Sequence, residues 1–154
     1  MSEKFIVTIT REFGSMGRPI ARRLSELLNV EFYDRDIVEE TARQMELPLS
    51  VVSKNEESKG GIYARMKSPL GKFSSEKQNE IFRVQSEIIR KLAAKESCVI
   101  VGRCAEYVLS DFKNCFNIYI YAPFEKRIEN CVTHLGMEEL YLQGNVLCFS
   151  YRGD

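Results

Sequence analysis

The chain has 154 residues, 44% hydrophobic and 29% charged, a balance that supports one globular domain over 1–154 rather than a disordered chain. Lysine plus arginine and aspartate plus glutamate both number 22, so zero formal net charge lends no electrostatic support to a nucleic-acid or membrane-surface role. Five cysteines (Cys98, Cys104, Cys115, Cys131, Cys148) beside the single His134, with no C-x-x-C pair, speak against zinc or a disulfide framework and for a reducing, cytoplasmic setting.

Phe5, Ile6, Val7 and Ile9 form a β-branched, aromatic-led run broken only by Thr8 and Thr10, as a strand buried on both faces of a parallel sheet reads. The first apolar run is too short for a signal peptide, and no later run approaches a membrane span. Gly14 and Gly17 then permit a tight turn and a close approach of backbone to ligand. Pro19 suits the first helical position, and Ile20, Ala21, Leu24, Leu27 and Leu28 follow at helical spacing. Strand, glycine loop and helix N-terminus together present N–H groups and a positive dipole end to a phosphate, with Arg18 adding charge at the mouth. Against the phosphate-loop pattern G-x-x-x-x-G-K-[ST], Glu12 stands at the first glycine, Arg18 at the lysine and Pro19 at the hydroxyl residue. Taken alone, the stretch reads equally well as an ordinary strand-to-helix turn.

Asn29 suits a left-handed helix end, and Val30 to Tyr33 reads as a short second strand. Asp34 is placed to cap a helix bearing Ile37, Val38, Thr41, Ala42 and Met45 on one stripe. Asp34 and Arg35 thus fall where a strand hands over to a helix, the place where open parallel sheets bind ligands. Residues 53–73 are polar and glycine-rich and predict a surface loop, in which Arg65 and Lys67 can serve a phosphate or solvent alone. Ser75-x-x-Gln78 has the capping-box form and predicts a long helix to about Glu96, with Ile81, Phe82, Ile88, Ile89, Leu92 and Ala93 inward.

Cys98 to Val101 reads as a buried strand ending at Gly102-Arg103, where a planar guanidinium suits a phosphate and a salt bridge is the plainer alternative. A fourth strand is predicted over Cys115 to Tyr121. A helix follows from Phe124 to about Leu135, carrying Arg127 and, at a surface or boundary position, His134. Residues 145–151 are apolar enough for a fifth strand. Alternating strands and helices predict an α/β/α three-layer sandwich with a mainly parallel sheet.

Three strings, ITREFGSMGRPIARRL, FYDRDIVEETA and CVIVGRCAEYVL, in this order, resemble the cytidylate kinase-like family of nucleoside monophosphate kinases. The resemblance runs from Phe5 to about Arg127. It implies a phosphate-loop fold, ATP with Mg²⁺, and transfer of the γ-phosphoryl group to a nucleoside monophosphate such as CMP or dCMP. It also assigns Gly14, Ser15, Met16, Gly17 and Arg18 to the donor phosphates and Asp34, Arg35 and Arg103 to the acceptor. Arg127 joins Arg18 as a catalytic charge. Many relatives carry an aspartate beside the acceptor arginine, where this chain has Val101 and Cys104, so no protein metal ligand is expected. Residues 136–154 form an atypical tail in place of the lid, which makes slow transfer an expectation. A nucleotide-binding or regulatory domain without catalysis is the competing reading, and a homodimer is compatible with either.

Overall fold

The computed structural model describes residues 4–49, 52 and 71–135. Its contacts divide the chain into two compact units, 1–32 with 97–154, and 33–96.

The first unit is built on β1 (Ile6–Arg11), whose residues Ile6, Val7, Thr8 and Ile9 are all buried. Its neighbours are β3 (Cys98–Val101) and β4 (Cys115–Ile120), both parallel to it, and β2 (Glu31–Tyr33) completes the order β2-β3-β1-β4. Ile6 pairs with Cys98 on one side and with Cys115 on the other. Because both neighbours saturate the backbone of β1, its side chains can be apolar on both faces. The expected α/β class with a parallel sheet is the one observed. The strand runs two residues past Ile9, since its ladder with β4 continues through Thr10↔Tyr119 and Arg11↔Ile120. The buried Thr8 hydroxyl donates to Asn117 Oδ1 at 2.6 Å, which offsets its removal from water.

Helix α1 (Gly17–Leu28) packs on β1 and β3 through Ala21 and Leu24. Gly17 is its first residue, so Pro19 falls at the third position rather than the first. Proline is tolerated there because the N–H groups of the first turn have no intrahelical acceptor. Asn29 ends the helix at φ 52°, with its N–H bonded to Glu26 O, the left-handed cap anticipated for it. A short α4 (Ala105–Val108) follows β3, tied to β1 where the Thr10 hydroxyl donates to Glu106 Oε2 at 3.2 Å. Helix α5 (Phe124–Leu135) follows β4, in agreement with the sequence.

The second unit packs α2 (Arg35–Gln44) on α3 (Gly71–Lys95). Val38, Ala42, Val52 and Ile81 form its buried cluster, with Met45 and Leu47 against it. Helix α3 starts four residues before Ser75, so the capping-box pattern lies inside the helix and 71–73 belong to it rather than to a loop. The rest of the expected loop, with Arg65 and Lys67, lies outside the described residues, as do 136–154 and the candidate fifth strand. Among the described residues, no helix is long and apolar enough to cross a membrane.

Ile9, fully buried between β3 and β4, is the position where lost volume is felt most. Ile9→Ala should lower unfolding free energy by about 2–5 kcal/mol, read from urea denaturation. A loss below about 1 kcal/mol would contradict its central place.

Candidate functional site

The loop after β1 is held from behind by α5. Gly14 adopts φ +78°, and a Cβ there would lie 2.8 Å from Arg127 O and 2.9 Å from Cys131 Sγ. The position therefore demands glycine twice, for its backbone angle and for its neighbours. Asn130 Nδ2 donates to Gly14 O at 2.9 Å. Arg127, only 4% exposed, sets its Nε 3.4 Å from Glu12 Oε2, and the same carboxylate oxygen accepts from Ala122 N at 3.3 Å. Phe13, Phe124 and Ile128 enclose Cys131. Burial pushes the Cys131 thiol above its usual range and the charge of Arg127 opposes this in part, so Cys131 serves as a small apolar filler.

Within the loop, the Ser15 hydroxyl and N–H both donate to Glu12 O, at 2.8 and 3.3 Å. Ser15 is buried beneath the surface it shapes. Met16, in the left-handed conformation at φ 62°, precedes α1 and supplies no side-chain cap to the first turn. In front of the loop opens a cleft of ≈ 540 Å³ lined by Arg11, Glu12, Phe13, Gly14, Met16, Gly17, Arg18, Pro19 and Arg22. Three arginines and one glutamate line it, and that glutamate is engaged with Arg127. The balance favours an anion at a helix N-terminus that carries no acidic residue in its first turn.

Arg11 was not singled out by sequence. A Cβ on Gly17 would lie 2.5 Å from Arg11 Cβ, and a Cβ on Gly102 would lie 2.5 Å from Arg11 Nη1. The Arg11 side chain therefore runs from the start of α1 to the end of β3. The glycine spacing was the available signal, since Gly17 and Gly102 both leave room for it. At the end of β3, Gly102, Arg103 and Cys104 have φ of 69, 60 and 53° in succession. A left-handed angle is unfavourable by roughly 1–2 kcal/mol for a residue other than glycine. The turn is tied by Gly102 N to Ile9 O at 2.9 Å and Ala105 N to Gly102 O at 3.1 Å.

The structure thus brings Gly14, Met16, Gly17 and Arg18 to one cleft wall, with Ser15 beneath it, and Arg11 reaches from that wall to Gly102, the residue before Arg103. Arg127 stands behind the loop against Glu12. Asp34 and Arg35 belong to the other unit. There Asp34 is 3% exposed at the N-cap position of α2, without a side-chain cap bond, and Arg35 is the first, exposed helical residue. The expected Asp34 cap is therefore right in position and not in bonding, because its backbone, at φ −144° and ψ −86°, departs from the usual N-cap conformation.

The model of the cytidylate kinase-like family matches residues 6–143. This chain belongs to that family. Within it the protein is a nucleotide kinase-like protein, and the match includes the glycine loop, the Gly102-Arg103 turn and α5. A protein from Eubacterium ventriosum ATCC 27560 of uncharacterized function is similar in structure. It has a TM-score of 0.66 and 27% identity over 96% of this chain and 72% of its own. Shikimate kinase from Acinetobacter baumannii, solved with shikimate, shares the fold at a TM-score of 0.54 and 14% identity, covering 96% and 73%. TT1252 from Thermus thermophilus does so at 0.57 and 13%, covering 97% and 80%. No curated protein sequence matches significantly.

Gly14→Ala should destabilise the protein by about 1–3 kcal/mol, through a strained backbone angle and overpacking against α5. Chemical denaturation reads the loss directly. An unchanged midpoint would mean that α5 does not brace the loop.

Proposed function

We propose that this family member transfers the γ-phosphoryl group of ATP to a nucleoside monophosphate, with CMP or dCMP as acceptor. The observation that carries this reading is the cleft at the start of α1, lined by Arg11, Arg18 and Arg22 in front of a loop whose Gly14 is pressed against Arg127 and Cys131. Its size and cationic lining fit a polyphosphate. Support for a cytosine base comes from the family description alone.

In this reading Gly14, Met16 and Gly17 bring backbone against the donor phosphates, Ser15 fixes the curvature of the loop, and Arg18 adds positive charge. Arg103 holds the acceptor phosphate at the end of β3. An oxygen of that phosphate attacks the γ-phosphorus as the bond to the bridging oxygen breaks and ADP departs. Positioning and charge neutralisation supply most of the catalysis, so a dedicated general base is not required. Among the described residues, no group of three His, Cys, Asp or Glu side chains could hold a metal ion. Mg²⁺ accompanying ATP would be held mainly by phosphate oxygens and water, and would neutralise phosphate charge. Arg127 contributes by keeping Glu12 and the loop in place.

The test is ADP release from Mg-ATP with each of the four common nucleoside monophosphates. Turnover should be greatest with CMP or dCMP. ATP binding without ADP release on any acceptor would replace the kinase with a regulatory nucleotide-binding domain, and no binding at all would end both readings. Arg18→Ala should weaken ATP binding by about 1.5–3 kcal/mol, the scale of a charge-assisted hydrogen bond. Arg103→Lys, which loses the bidentate fork, should raise the KM for the monophosphate by about tenfold or more while that for ATP changes little. Equal changes for both substrates would remove Arg103 from the acceptor side.

A further inference from the structure

In a phosphate loop of the usual kind, the cation for the β- and γ-phosphates is a lysine in the first turn of the helix. Here Arg18 aligns with that lysine as the second residue of α1, while the first helical residue, Gly17, has no side chain. The volume a side chain would take at that position is occupied instead by the Cβ and Cγ of Arg11, 2.5 and 2.7 Å from the point where a Gly17 Cβ would sit. Arg11 comes from the last position of β1, crosses Gly17 along the cleft wall, and brings Nη1 to Gly102. Its path places a guanidinium at the carboxyl ends of β1 and β3, between the loop and the turn that bears Arg103. Any residue larger than glycine at either 17 or 102 would obstruct this path.

We infer that Arg11 supplies the polyphosphate-binding cation of this cleft, replacing from the strand the lysine that other phosphate loops supply from the helix. The inference rests on the kinase reading above and adds a binding residue to it. A guanidinium is suited to the task because its planar fork engages two phosphate oxygens at once and stays charged at every relevant pH. Arg18, the next residue of α1 after Gly17, lines the same cleft and supplements Arg11.

Calorimetric titration of the wild type, Arg11→Gln and Arg11→Met with ATP, AMP and inorganic tripolyphosphate tests this. Arg11→Met keeps an apolar stem over Gly17, so it carries the test if the glutamine variant does not fold. The expected result is a fall of about 10- to 100-fold in affinity for ATP and tripolyphosphate, the range of a charge-assisted hydrogen bond at tenfold per ~1.4 kcal/mol. Affinity for AMP should change by less than about threefold, since AMP has only the phosphate nearest the ribose. Unchanged ATP affinity in a folded variant would overturn the role of Arg11 while leaving the kinase reading in place. An equal loss for ATP and AMP would show a distorted cleft rather than a lost phosphate contact, and would also overturn it. Failure of the wild type to bind ATP or tripolyphosphate would remove both readings together.

Discussion

The glycine loop has its shape because α5 stands directly behind it. Gly14 has no room for a side chain, its carbonyl accepts from Asn130, and Glu12 at the start of the loop meets the buried Arg127. A buried arginine next to a carboxylate is a stabilising arrangement only when both remain, because removal of either leaves a charge in a poorly hydrated place. The consequence for the cleft is electrostatic. Glu12 is the carboxylate among the lining residues, and it is paired with Arg127, while Arg11, Arg18 and Arg22 line the same cleft.

Two distortions on neighbouring strand ends point the same way. Met16 adopts a left-handed angle just before α1, and Arg103 and Cys104 do so after β3. Strain of this kind persists only where surrounding bonds over-determine the backbone, and it collects at sites that bind or react. Gly102 N bonds to Ile9 O and the Thr10 hydroxyl to Glu106, so the β3 turn is fastened to β1 on both sides. The direction of Arg103 is thereby set by the main chain before any ligand arrives.

Much of this was legible in the sequence where one local rule sufficed. The apolar runs at Ile6–Ile9, interrupted by Thr8, and at Cys98–Val101 read as buried parallel strands, and Asn29 as a helix cap, because each depends on near neighbours in the chain. Pro19 was misplaced by two helical positions. The loop lets α1 start at Gly17, and the sequence rule for proline does not see that tertiary freedom. The start of α3 was missed for a similar reason: Ser75 and Gln78 satisfy a capping pattern that the helix runs through. The resemblance makes Arg127 a catalytic charge, and its pairing with Glu12 cannot be read from a separation of 115 residues (127 less 12). Arg11 was hidden by its position at the end of a strand, since only the space over Gly17 and Gly102 gives it a direction.

The Asn130–Gly14 bond joins residues 116 positions apart. A glycine loop is usually thought of as a local motif, yet here its geometry depends on a helix made much later in synthesis. Contacts of such long range form late, because the entropy of closing the intervening chain must be overcome first. While the ribosome has released β1 and α1 but not α5, the loop has its glycines and no wall behind them. The loop is therefore complete only when Phe124 to Cys131 stand behind Gly14, so chains that stop short of this helix lack the wall that shapes it.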